Sequence, residues 1–171
     1  MTWTAPEVTR TSGSLVGNER ETLEGFLAYY RSTLLGKCAG LTGQQLAEQT
    51  VRPSNLTLLG LVRHMAKVER TWFRERFAAL PLAPMYAPEL GKDADFEDLA
   101  EERAEEDYTR LVQEIRLADE TVADASLDDT FTHNGTLYSL RLVHVHMIAE
   151  YARHIGHADL LRESLDGATG Y

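Results

Sequence analysis

Four stretches of this chain repeat apolar residues at three- and four-residue spacing, and a chain patterned that way must bury helix faces against one another. From Asn18, Leu23, Phe26, Leu27, Tyr30, Leu34 and Leu35 keep this period, with Gly40 and Gly43 punctuating the end. A second helix is marked by Leu56, Leu59, Val62, Met65, Ala66, Trp72 and Phe73 and runs to about Leu80, with Ser54, just after Pro53, as its expected N-cap. The third runs from about Phe96 to about Ala123, with Tyr108, Leu111, Val112 and Ile115 as its inner stripe. The fourth starts near Ser139 and ends near Leu165, just before Gly167. No clear strand run accompanies them, so the pattern predicts an all-α fold, a four-helix bundle. At 171 residues the chain suits one domain, residues 1–171, with a sizeable core.

The remaining segments read as connections. Residues 1–17 carry Thr, Ser, Gly and Pro without periodicity and are expected as an extended N-terminal arm. Pro81 to Lys92 holds three prolines and Tyr86, which excludes continuous helix and predicts a long loop. Asn134-Gly135 is a turn signal that fits a short hairpin. The acidic run Glu101, Glu102, Glu105, Glu106 and Asp107 reads as a solvated helix face.

Formal net charge is −10, and Lys and Arg are scattered among the acids, which argues against a nucleic-acid partner. No apolar run approaches the length of a membrane span. The first residues have neither a basic start nor an apolar core, so a cytoplasmic location is expected. One cysteine, Cys38, excludes an internal disulfide and a cysteine-cluster zinc site; near the end of the first helix it reads as packing rather than as a catalytic thiol.

The chemistry concentrates on two helices. In the run His144 to His157, Glu150 and His154 lie one turn apart on the same face; His157 lies between them in angle one turn further on, and His146 one turn before. Val143 and Leu161 share the stripe, so it faces the core, whereas His144 is expected to point well away from it. A carboxylate on an inward stripe is costly unless paired or metal-bound. Carboxylate and imidazole on successive turns are what helical metal sites use. A catalytic zinc takes about three protein ligands and one open position. The third candidate is His64, whose stripe on the second helix runs through Leu61, Val68 and Thr71. Two His and one Glu suit zinc, and nickel, iron and manganese fit the same donor types. The alternative is a structural polar network in which Arg153 or His146 neutralises Glu150. Glu69, about 140° round from His64, is expected to be a surface or inter-helix charge. Trp72, Phe73 and Tyr30 are expected to pack, and His133 is assigned no role.

The chain resembles the DinB/YfiT-like metalloenzyme superfamily, in particular its small actinobacterial DinB-like members. The resemblance runs through Met1-Thr2-Trp3, Lys37-Cys38-Ala39-Gly40-Leu41, Ser54-Asn55-Leu56, Leu61-Val62-Arg63-His64-Met65 and Glu69-Arg70-Thr71-Trp72-Phe73. Its most specific block is Glu150-Tyr151-Ala152-Arg153-His154 to Gly156-His157-Ala158-Asp159-Leu160-Leu161-Arg162-Glu163. It implies an up-down-down-up four-helix bundle, often dimeric, with a metal on three side chains. Most relatives look like three-histidine sites. Glu150 at the middle position matches the His, Glu, His set of mycothiol-dependent maleylpyruvate isomerase, which maps onto His64, Glu150 and His154. His157 stands where many relatives carry Gln, as a fourth ligand or a partner of one. That isomerase has a second domain that this sequence lacks, so its reaction is not implied.

What the resemblance implies is metal-assisted thiol chemistry. An S-transferase or isomerase would bring a mycothiol-type thiol to an electrophile, with His157 or His146 as general base or orienting group and Arg153 binding a carboxylate. A metal-binding or stress-related protein without catalysis, using the 81–95 loop as its contact surface, and a hydrolase using zinc-bound water are the alternatives.

Overall fold

The computed structural model describes residues 2–86, 89, 91 and 93–170. Met1, Ala87, Pro88, Leu90, Lys92 and Tyr171 lie outside the described residues, and with them part of the expected 81–92 loop. The arm runs extended. Thr4 pairs with Thr42 in an antiparallel bridge, and Ala5 exchanges backbone hydrogen bonds with Gly40 and Leu41.

Helix α1, Glu19–Cys38, begins where Asn18 and Glu21 cap each other reciprocally. Acids in its first turn and Lys37 in its last suit the helix dipole. A short α2, Gly43–Leu46, repeats the reciprocal cap with Thr42 and Gln45. Gly43 is required there: a Cβ would lie 2.3 Å from the Glu101 carbonyl oxygen.

Helix α3 spans Leu58–Glu69 and is capped by Thr57, not by the expected Ser54. The Thr57 hydroxyl accepts from Gly60 N–H at 2.9 Å, while Ser54 only turns back on Leu56. Beyond Glu69 the helix widens into a π-helical stretch, Arg70–Phe77, and stops short of the expected Leu80.

The connection that follows is partly helical: α4, Ala94–Glu97, then a 3₁₀ turn, Glu101–Arg103. Helix α5, Ala104–Val122, therefore starts eight residues later than the apolar pattern suggests. Its buried face also differs. Asp107 and Glu114 lie inside with Tyr108 and Leu111, whereas Val112 is 44% exposed. Asp107 thus leaves the expected solvated face, because it pairs with buried Arg63 at 3.1 Å.

Strands β1, Thr130–His133, and β2, Thr136–Ser139, form the hairpin, with Thr130 opposite Ser139 and His133 opposite Thr136. Asn134 and Gly135 both take positive φ, 49° and 77°, as a two-residue hairpin turn needs. Helix α6, Leu140–Asp166, is capped by Ser139 and ended by left-handed Gly167.

The molecule is thus predominantly helical. Helix α1 packs along α6, α3 packs along α5, and α3 also meets α6. Leu27, Leu59, Met65, Phe73, Leu111 and Met147 fill the space between them. No helix among the described residues is long and apolar enough to cross a membrane.

Candidate metal centre

The contact of α3 with α6 brings the three predicted residues together. His64, Glu150 and His154 each offer a ligand atom within 4.8 Å of the other two. The imidazoles of His64 and His154 meet edge to face, with centroids 4.7 Å apart. His154 Nε2 is 3.4 Å from one Glu150 oxygen; His146 Nε2 and Arg153 Nη1 are 3.7 and 3.9 Å from the other. Among the described residues no hydrogen bond satisfies the Glu150 carboxylate, although its side chain is only 17% exposed. Three potential cations at ion-pair distance, with none in hydrogen-bonding geometry, leave its oxygens open to a further cation.

Electrostatics keep the imidazole of His154 available. Burial, reinforced by the neighbouring His64, lowers its pKa to about 4, so the ring is neutral near pH 7 and keeps a lone pair. Two imidazole nitrogens and a carboxylate oxygen form a donor set that several divalent transition metals accept.

The groups around the three hold them in different ways. His157 does not join the cluster: its Nδ1 lies 3.4 Å from His154 Nδ1, so it stands behind His154 rather than beside Glu150 and His64. His146 lies against the Trp72 ring at 4.3 Å, and burial lowers its pKa. Trp72, expected only to pack, therefore also backs His146, while Phe73 is a core residue. Arg153 is 66% exposed at the rim.

Three other sequence readings change or settle here. His144 does not point outward: it is 1% exposed, packs on Phe73 and bonds through Nδ1 to the Leu140 carbonyl oxygen. It turns away from the metal cluster but into the core, because Phe73 from the π-helical stretch covers it. Glu69 is an inter-helix charge but not a surface one. It is fully buried against Arg31 and Tyr151. Cys38 is buried, and burial pushes its thiol up to about 12, so it is no nucleophile near neutral pH.

One residue at this site escaped sequence reading. Asp95, on α4, places Oδ2 2.7 Å from His64 Nδ1, while Lys67 Nζ donates to Oδ1 at 2.8 Å. Burial alone would raise the Asp95 pKa; the bonds from His64 and Lys67 outweigh it and hold the carboxyl down to about 2. One acid among several just beyond a proline-rich stretch belongs to no periodic pattern, so only the fold could single it out.

Comparison with known families bears on this geometry. A family model described as Mycothiol-S-transferase matches residues 22–167. The chain belongs to the mycothiol-S-transferase family. The match runs from the first turn of α1 to the end of α6 and includes all three converging residues. Membership of this DinB-like family agrees with the resemblance carried by the His64 and Glu150 to Glu163 blocks. No curated protein and no solved structure matches the chain.

Proposed function

We propose that this mycothiol-S-transferase family member is a divalent-metal-dependent enzyme that joins a low-molecular-weight thiol of the mycothiol type to a small electrophile. The observation that carries this reading is the convergence of His64, Glu150 and His154 on one another, with no hydrogen bond to the Glu150 carboxylate among the described residues. These three would hold the ion, with zinc as the expected metal and nickel, iron or manganese compatible with the same donors. A divalent ion there would act as a Lewis acid and make a thiol acidic enough to ionise near neutral pH. Helices α1, α3 with its π-helical extension, α5 and α6 are read as the four members of an up-down-down-up bundle around it.

The chain's own residues supply the rest. His154, neutral and buried, offers its ring without first losing a proton. His157 orients His154 from behind through the two Nδ1 atoms. His146, held between Trp72 and Glu150, accepts the thiol proton. Arg153 at the rim binds a carboxylate of the incoming substrate. With a chloroarene as electrophile, the thiol S–H gives up its proton, a sulfur–carbon bond forms, and the carbon–chlorine bond breaks with chloride taking the electron pair.

The test loads purified protein with zinc and offers mycothiol with a chloro-nitro-arene. Thiol consumption should require zinc and vanish in His64→Ala, Glu150→Ala and His154→Ala. Bound zinc without thiol consumption across a broad electrophile panel would replace this reading with a non-catalytic metal protein. Ester cleavage without any thiol would replace it with a hydrolase.

A further inference from the structure

Asp95 places a carboxylate oxygen against one of the two ring nitrogens of His64, Nδ1. We propose that Asp95 is the positioning residue of the metal centre: it accepts the Nδ1 proton of His64 and so leaves Nε2 as the nitrogen that can bind an ion. The proposal rests on His64, Glu150 and His154 being ligands, and it adds what aims the first of them.

The geometry leaves the imidazole little choice. A neutral imidazole that donates from one nitrogen presents a lone pair at the other. Asp95 Oδ2 occupies Nδ1 at 2.7 Å. Phe96, the next residue along, stacks on the ring at 4.8 Å with planes 29° apart, which opposes rotation of the ring. Asp95 is itself held at both ends. Lys67 Nζ takes its second oxygen. Arg63, 1% exposed, donates to the Asp95 carbonyl oxygen at 3.0 Å and to the Ala94 carbonyl oxygen at 3.2 Å. Arg63, His64 and Lys67, all from α3, therefore grip the one-turn helix α4, and the carboxylate is fixed by main chain as well as by rotamer.

A purely structural explanation, in which Asp95 only docks α4 onto α3, makes a different prediction. Docking would leave metal affinity unchanged, since Arg63 holds α4 through its main-chain carbonyls without the Asp95 side chain. A carboxylate hydrogen-bonded to a ligating histidine fixes its tautomer and raises its basicity, and losing such a partner typically weakens metal binding roughly 10- to 100-fold.

The experiment uses full-length protein in two ways. Zinc affinity is measured by competition with a chromogenic chelator for wild type, Asp95→Asn, Asp95→Ala and Lys67→Met. Asp95→Ala should bind roughly 10- to 100-fold more weakly at unchanged stoichiometry. Asp95→Asn should fall less far, because its amide oxygen can still accept, and Lys67→Met should fall in the same direction. Lys67→Met leaves the carboxylate in place, so it keeps the test alive if an Asp95 variant does not fold. Separately, nitrogen-15 spectra of metal-free, histidine-labelled wild type should show His64 protonated at Nδ1 and bare at Nε2. Wild-type affinity retained within threefold in Asp95→Ala overturns the proposal, as does a His64 protonated at Nε2. A wild type that holds no zinc yet shows the Nδ1–H tautomer overturns the metal reading while upholding the hold of Asp95 on His64.

Discussion

Glu69 shows how a charge buried away from the metal cluster can set the direction of a ligand within it. Both its oxygens accept from Arg31 at 2.7 Å, and the Tyr151 hydroxyl donates to one of them at 2.8 Å. Arg31 reaches Asp119 as well; burial alone would lower its pKa, but the charge and hydrogen bonds of Glu69, together with Tyr151 and Asp119, raise it. An intact buried pair adds little net stability, since both ions surrender water. Removing one partner strands the other, at a cost of about 3–5 kcal/mol. Glu69→Ala should lose about that much in urea unfolding, and a loss below about 1 kcal/mol would show that Arg31 finds water instead. Tyr151→Phe should lose about 1 kcal/mol, one hydrogen bond's worth. Consecutive helix residues point about 100° apart. Tyr151 held against Glu69 therefore fixes where Glu150 points. The sequence allowed an inter-helix role for Glu69 but not its partners or its burial, because Arg31 lies 38 residues before Glu69 and Tyr151 lies 82 after it.

At the scale of single elements, the parts readable from sequence are those whose chemistry is local. Asn18 with Glu21, Ser139 and Gly167 bound α1 and α6 through contacts within one turn, and these boundaries match the pattern. Glu150 and His154 were legible for the same reason, since one helical turn relates them. The start of α3 was not. Two hydroxyl residues, Ser54 and Thr57, compete for the cap, and only the chain path chooses Thr57, whose oxygen meets Gly60 N–H. Thr57→Ala should thus cost about 1 kcal/mol, and Ser54→Ala should stay within about 0.5 kcal/mol. Equal costs in thermal or urea unfolding would refute that assignment. The inner face of α5 was hidden by charge: Asp107 and Glu114 are buried because Arg63, Arg70 and Arg74 come from α3 and its π-helical extension to meet them. Asp95 was hidden for a related reason, its partners His64 and Lys67 lying 31 and 28 residues away.

For the whole molecule, stability against acid separates into two pH windows. His144, His146 and His154 all have lowered pKa values, in each case chiefly through burial. An unfolded chain takes up protons on these rings below about pH 6.5 while the folded one refuses them, so the metal-free fold weakens as pH falls. For His154, whose folded pKa is about 4, the penalty is on the order of 3 kcal/mol, absent above pH 6.5 and complete near pH 4. Asp95 acts lower down. Its folded pKa of about 2 lies beneath its ordinary 3.8, so its contribution is fully present above that value and is lost as pH drops through about 2. Between pH 6.5 and 4 the histidines therefore govern. A net charge of −10 works the other way there, because its self-repulsion eases as acids protonate. The His154 share is best read as a difference. In urea unfolding of metal-free protein between pH 7.5 and 4.5, wild type should lose more stability on acidification than His154→Asn does. Parallel curves would show that His154 accepts its proton inside the fold, and the ring would then carry a charge that any bound cation must displace.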